Sequence, residues 1–262
     1  FETPLFHSQK IFLQGGQFTP ASGGQFAPAR RGQFPSASGG QFDRILQYRA
    51  FHLTIEKNYK QMKSPFSLDR QNQKVESKIV VALERIAEAF RVLLWLESKE
   101  NALSPIQIQI LIFLLFHSDE KCKVSYLSQE FNMTKSTISD SVKLLLQKGL
   151  IQKFNDLTDT RSYIIGLTPT GKQTAEKSAN FAFAIEKPLF MLSNEQKEII
   201  LSSLLNLIHE LHKANIITIQ RMCFTCVNYQ HDEGQHYCKL LQSQLQNTEL
   251  RIDCAEHELI PA

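Results

Sequence analysis

Val124-Ser-Tyr-Leu127-Ser-Gln-Glu-Phe131-Asn-Met-Thr134-Lys-Ser-Thr-Ile138-Ser-Asp-Ser-Val142-Lys-Leu-Leu-Leu-Gln-Lys-Gly149-Leu-Ile151 is the stretch that decides how this chain folds. Leu127 and Phe131 stand four residues apart, on one face of a short helix, and Asn132-Met133 makes a turn. A second helix starts at Thr134 and buries Ile138, Val142, Leu145 and Leu146. It stops at Gly149, where a left-handed backbone meets no Cβ clash. The opposite face carries Thr134, Lys135, Ser136, Thr137, Ser139 and Lys143, short donors and acceptors with two long cations. Such a face suits a helix lying in the major groove of double-stranded DNA and touching its phosphates. Two strands are predicted next, at residues 151–154 and 163–167, joined by a polar loop. Arg161 in that loop can reach the negative potential of an adjacent minor groove, and Asp159, two residues earlier, is placed to orient the guanidinium. The fold class is therefore mainly α, a winged helix-turn-helix with a small two-stranded wing.

At this point the sequence resembles the MarR family of bacterial transcription regulators. The resemblance rests on Ser-Thr-Ile-Ser-Asp-Ser-Val at residues 136–142, on Gly149-Leu150-Ile151, on Asp159-Thr160-Arg161, and on Leu167-Thr168-Pro169-Thr170-Gly171. It spans roughly residues 66–219, with several motifs agreeing in register. It implies long terminal helices that interlock into a homodimer, and a repressor more readily than an activator. It also implies an effector, a small aromatic molecule or an oxidant, that changes the spacing of the two reading heads. Two-fold symmetry then predicts a pseudo-palindromic operator with reading helices about 34–36 Å apart, one DNA turn.

With 262 residues, 42% of them hydrophobic, the chain is ample for a core. Its net charge of +3 neither demands nor excludes nucleic acid, since a local basic surface decides that. Residues 133–161 hold Lys135, Lys143, Lys148, Lys153 and Arg161 against Asp140, Asp156 and Asp159, a mildly basic surface. No apolar run is long enough to span a membrane. The first residues lack a basic start and an apolar core, so they do not read as a secretory signal, and a cytoplasmic location is expected.

Residues 1–61 differ in composition. Gly-Gly-Gln-Phe recurs at 15, 23 and 39, with Arg31-Gly32-Gln33-Phe34 as a degenerate copy, giving a period of eight. Gly, Pro, Ala, Ser and Gln fill the gaps and bury little, so this arm is expected to be disordered. Met62, just ahead of the first convincing helix, is a candidate native start. From there to residue 220 the pattern is helical. Val75, Ile79, Leu83, Ile86 and Phe90 recur every three or four residues. Ser104-Pro105-Ile106-Gln107 and Ser193-Asn194-Glu195-Gln196 are capping-box starts. The helix opened by Thr168-Pro169 is expected to end or kink at Pro188. Ile199, Ile200, Leu204, Leu205, Ile208 and Leu211 exceed what one intramolecular groove needs.

Residues 221–262 depart from the family pattern and hold four of the five cysteines. Cys223 and Cys226 have the separation that presents two thiolates to one metal, and Cys238 and Cys254 can complete a tetrahedron after two loops. Zinc and an iron–sulfur cluster both suit four thiolates. Zinc ribbons usually show two close pairs, whereas fifteen residues separate Cys238 from Cys254, which keeps the cluster open. Reversible disulfides and unliganded thiols are the other readings. His236 and His257 read as ordinary polar surface residues. Cys122, between Lys121 and Lys123, reads as an inert thiol outside the site.

The sequence thus reads as a cytoplasmic, dimeric, DNA-binding regulator with a C-terminal four-cysteine metal or redox module at the dimer helices. The rival is a redox or electron-transfer protein that docks through the winged helix. Gly-x-Gly-x-x-Gly does not occur, and Gly166-Leu-Thr-Pro-Thr-Gly171-Lys172 is followed by Gln173 where a phosphate loop needs Ser or Thr, so no flavin or nucleotide site supports that rival, and no enzyme activity is expected.

Overall fold

A computed structural model describes residues 64–156, 162–218, 220–232 and 234–260. The chain divides into units of residues 1–39 and 40–262, and every described residue belongs to the second. The repeat-bearing arm, Met62, Asp159 and Arg161 lie outside the described residues.

A short helix α1 (Leu68–Gln73) leads into the long α2 (Val75–Glu100). Helix α3 (Pro105–Phe116) begins in the expected capping box: Ser104 accepts from the Gln107 N–H, and the Gln107 side chain accepts from the Ser104 N–H. It is apolar nearly all round and becomes the central strut. Ile108, Ile110, Leu111, Phe113 and Leu114 are buried in one cluster with Leu127, Ile138, Val142, Leu145, Ile151 and Ile165. Around it fold α4 (Val124–Glu130), α5 (Lys135–Gln147), the antiparallel strands β1 (Ile151–Asn155) and β2 (Tyr163–Leu167), and α6 (Pro169–Ser178). The fold is a mainly helical winged helix-turn-helix, as the sequence predicts.

The β1–β2 register pairs Ile151 with Leu167 and Asn155 with Tyr163. Ile165 N–H donates to the Cys122 carbonyl at 2.8 Å, tying the wing to the segment that enters α4. Asp156, buried at the end of β1, forms an ion pair with Lys123 just ahead of α4.

After α6 a 3-10 turn at Ala179–Ala182 leads into α7 (Phe183–Leu189), so the helical path breaks before Pro188. Pro188 sits in the last turn of α7, where it has no N–H to donate back along the helix, and the helix ends one residue later. Helix α8 (Asn194–Lys213) starts in the second expected capping box. Among the described residues, the apolar stripes of α2 and α8 are left largely exposed. Val75, Ile79, Ile86, Phe90 and Trp95 on α2 are exposed, as are Ile199, Ile200, Leu204 and Leu207 on α8.

Residues 221–260 are more ordered than a string of loops around a metal. Three short antiparallel strands form a sheet: β3 (Tyr229–Asp232), β4 (Gln235–Cys238) and β5 (Ser243–Leu245). Met222 and Leu250 are buried against Leu205 of α8, with Leu201, Ile208, Phe224, Tyr229 and Leu245 packed around them. The segment offsets its shortage of large apolar side chains by borrowing a helix face.

Candidate functional site

Helix α5 divides cleanly between its two faces. Ile138, Val142 and Leu145 are fully buried, whereas Thr134, Lys135, Ser136, Thr137, Ser139 and Lys143 are all exposed. Packing on α4 and α3 therefore fixes the helix axis and leaves the polar face free. The turn before it uses Asn132 in a left-handed backbone (φ 51°), which asparagine tolerates well. Met133 N–H then donates to the Ser128 carbonyl at 2.9 Å.

Thr134 does more than offer a hydroxyl to solvent. Its Oγ1 accepts from the Thr137 N–H and lies 2.8 Å from both the Ser136 and Thr137 hydroxyls. Thr134 is the N-cap of α5 and the hub of a three-hydroxyl cluster at the helix N-terminus, where free N–H groups and the helix dipole favour an anion. At the base of the wing, the Lys153 ammonium lies 3.9 Å from the centre of the Tyr163 ring.

The four tail cysteines come together. Cys223, Cys226, Cys238 and Cys254 line a single cavity, although the last three are spaced by long sequence intervals. The backbone shows how. Cys226 N–H donates to the Cys223 carbonyl, closing the Cys-x-x-Cys turn, and Tyr229 N–H donates to the Cys226 carbonyl. Tyr229 pairs with Cys238 across the β3–β4 ladder, which carries the third thiol to that turn. The fourth arrives because Cys223 N–H donates to the Arg251 carbonyl and Cys254 N–H to the Arg221 carbonyl.

Burial pushes the Cys223 thiol up from its usual range; an N–H from Arg251 opposes this, and the neighbouring Cys254, Cys238 and Cys226 raise it further. That Arg251 N–H lies 3.3 Å from Cys223 Sγ, and the Arg251 guanidinium lies 3.4 Å from Cys254 Sγ. Donors aimed at sulfur stabilise thiolates, the form that binds metal. Among the described residues no group of three or more His, Cys, Asp or Glu side chains stands in ready-made ligand geometry.

His236 and His257 are not free surface groups. His236 Nδ1 lies 2.6 Å from the Tyr229 hydroxyl and Nε2 lies 2.9 Å from Asn247 Oδ1, so both nitrogens brace the small sheet. His257 Nε2 meets the Thr225 hydroxyl at 2.9 Å. Cys122 is 1% exposed, and burial pushes its thiol up to about 11, overriding the flanking lysine.

Sequence reasoning missed Arg221. Its buried guanidinium makes a two-point pair with Asp253, Nε to Oδ1 at 2.6 Å and Nη2 to Oδ2 at 2.8 Å. It also reaches Glu130 at 2.6 Å, the Tyr126 hydroxyl at 3.0 Å and His117 Nε2 at 3.2 Å. Burial works against the charged guanidinium, but its hydrogen bonds to Asp253, Glu130 and Tyr126 outweigh it and raise its pKa. Arg221 in turn holds the Asp253 carboxyl well below the usual carboxylate range. The available signal was position: Arg221 lies two residues before Cys223 and Asp253 one before Cys254.

Residues 102–162 match the MarR family profile, less than half of the chain. Several solved structures are similar. S. aureus MepR in complex with DNA is 22% identical with a TM-score of 0.44, over 50% of this chain and 96% of that one. Streptococcus pneumoniae FabT in complex with DNA is 23% identical with a TM-score of 0.45, over 53% and 98%. A MarR transcriptional regulator from Methanosarcina mazei Go1 is 20% identical with a TM-score of 0.44, over 51% and 97%. No curated protein matches the chain.

Proposed function

We propose that this protein is a cytoplasmic, sequence-specific DNA-binding transcription regulator of the MarR type, acting as a homodimeric repressor. The carrying observation is the split of α5, whose apolar back is buried while Lys135, Ser136, Thr137, Ser139 and Lys143 stand exposed around a capped N-terminus. In this reading the N-terminal turn enters the major groove. Ser136, Thr137 and Ser139 meet base edges, and the two lysines meet phosphates. Thr134 holds that turn in shape. Arg161, oriented by Asp159, takes the minor groove. The exposed stripes of α2 and α8 support a second copy as the partner, since exposed apolar stripes on two long helices mark an association surface. This is a binding protein and not an enzyme, with a small-molecule or redox effector.

The tail in this reading is a four-thiolate centre for a thiophilic metal, with Cys223, Cys226, Cys238 and Cys254 as ligands. Zinc suits a tetrahedral, redox-silent site, and an iron–sulfur cluster is the alternative occupant. The visible spectrum and metal content of anaerobically purified protein separate the two. Selection of duplexes from a randomised pool, followed by electrophoretic shifts, tests the DNA reading. A selected motif with two-fold symmetry is expected; uniform weak binding to every duplex would oppose it.

A further inference from the structure

The thiol cavity and the reading head share one buried cation. Arg221 leaves the chain beside Cys223, and its carbonyl accepts from the N–H of Cys254. Its side chain crosses to the winged helix, where Glu130 ends α4 and Tyr126 sits one turn earlier. Asp253, next to Cys254, holds the same guanidinium from the opposite side, and His117 at the end of α3 touches both groups, with Nε2 2.9 Å from Asp253 Oδ2. The Thr218 hydroxyl donates to the Gln129 carbonyl, fastening the incoming chain to α4 a second time. The same module rests on α8, through Leu205 under Met222 and Leu250 and through Asn247 donating to Glu198 at 2.8 Å. It therefore bridges a helix with an exposed apolar stripe to the first helix of the helix-turn-helix.

We infer that the four-thiol cavity is an effector site for a thiophilic divalent cation, and that Arg221 is the positioning residue that transmits its occupancy to α4 and so to DNA affinity. This rests on the function proposed above. Closing four sulfurs on one cation fixes residues 221–223 against residues 251–254, because Cys223 and Cys254 are the outer members of that backbone pairing. With those strands fixed, Arg221 and Asp253 are held face to face and Glu130 is gripped at the end of α4. Without the cation, the two strands are joined by hydrogen bonds alone and the sulfurs no longer draw them together. The grip on Glu130 then weakens, and the turn that presents α5 gains freedom that DNA binding must remove. Loaded protein should hold DNA more tightly, because occupancy can shift affinity only through contacts that differ between the two states.

The test compares full-length protein stripped with a chelator and reloaded with Zn2+ alone, at one salt concentration, on a duplex selected from a randomised pool. Wild type should bind one zinc and hold the duplex about tenfold more tightly when loaded, within the usual range of such couplings. Arg221→Met and Glu130→Gln should keep one zinc and bring the loaded-to-stripped ratio close to one. Glu130→Gln decides if Arg221→Met melts too low to assay, since it changes a single charge on α4, at a residue that does not line the thiol cavity. A wild-type ratio of one, or tighter binding by stripped protein, overturns the effector role. An undiminished ratio in both variants overturns the role of Arg221. Wild type that binds no zinc, or no DNA in either state, removes the functional reading itself and the inference with it.

Discussion

Replacing Gly171 by alanine should damage this fold more than replacing Gly149, although only Gly149 has a backbone that disfavours a side chain. An alanine Cβ at Gly171 would lie 1.7 Å from the Leu150 carbonyl oxygen and 2.7 Å from its carbon. Ordinary contact needs about 3.4 Å or more, so the start of α6 or the turn between the reading helix and β1 must shift by roughly 1.5 Å. Neither is free to do so. Thr168 N–H donates to that same Leu150 oxygen at 3.1 Å, its hydroxyl donates to the Gly149 carbonyl at 2.7 Å, and Gly171 N–H donates to the hydroxyl at 3.0 Å. Overpacking costs about 1–3 kcal/mol, and loosening one or two of these bonds adds about 1 kcal/mol each. The sum, about 2–5 kcal/mol, corresponds to a fall in Tm of roughly 5–15 °C at this chain size. Gly149, with φ near +67° and nothing within 4 Å of a built Cβ, pays only for its left-handed backbone, about 1–2 kcal/mol. Thermal melts of wild type, Gly171→Ala and Gly149→Ala under one buffer read the difference. A Gly171→Ala melt within about 2 °C of wild type, or Gly149→Ala as the worse variant, would refute the close approach of α6 to the Leu150 carbonyl.

Thr134→Ala should cost about 1 kcal/mol of stability through the lost cap and weaken DNA binding as well, whereas Ser136→Ala should leave the melt unchanged and relax sequence preference by roughly 1–3 kcal/mol per lost base contact; competition shifts with mismatched duplexes separate the two. Lys143→Ala should lower the slope of log affinity against log salt by about one unit while preserving preference. Ile79→Asp or Ile199→Asp, on the exposed stripes of α2 and α8, should shift the protein toward monomer in sedimentation without unfolding the winged helix; an unchanged dimer would place the interface elsewhere. Serine at Cys223, Cys226, Cys238 or Cys254 should each release metal, and Cys122→Ser should not. Native Cys122 should also resist alkylation near neutral pH because it is buried and its thiol is pushed up to about 11.

Local rules made the helical body legible. Capping boxes at Ser104 and Ser193 lie within four residues of chain, and the period of Ile138, Val142 and Leu145 sets the buried side of α5 without reference to anything distant. The motif through Gly171 was recognisable as a pattern, but its reason, a helix start pressed against the Leu150 carbonyl, exists only in three dimensions. The tail was harder to read. Its strands are three or four residues long and rich in Gln, His and Tyr, too short for alternation to be heard, and they depend on α8 for a core. The spacing of the cysteines pointed to the four that share the cavity. It could not point to Arg221, whose partners Tyr126, Glu130 and Asp253 lie 95, 91 and 32 residues away in sequence. His236 and His257 look like ordinary surface groups in the sequence because their partners belong to that same hidden module.

Chemical footprinting of the protein on a selected duplex tests the central claim most directly. If α5 of two copies reads DNA, guanine N7 positions should be protected in two major-groove patches on one face of the duplex, centred about one turn, 34–36 Å, apart. Alanine at both Ser136 and Thr137 should erase both patches together. Protection confined to the minor groove, a single unsymmetric patch, or full protection by the double variant would contradict α5 as the reading element.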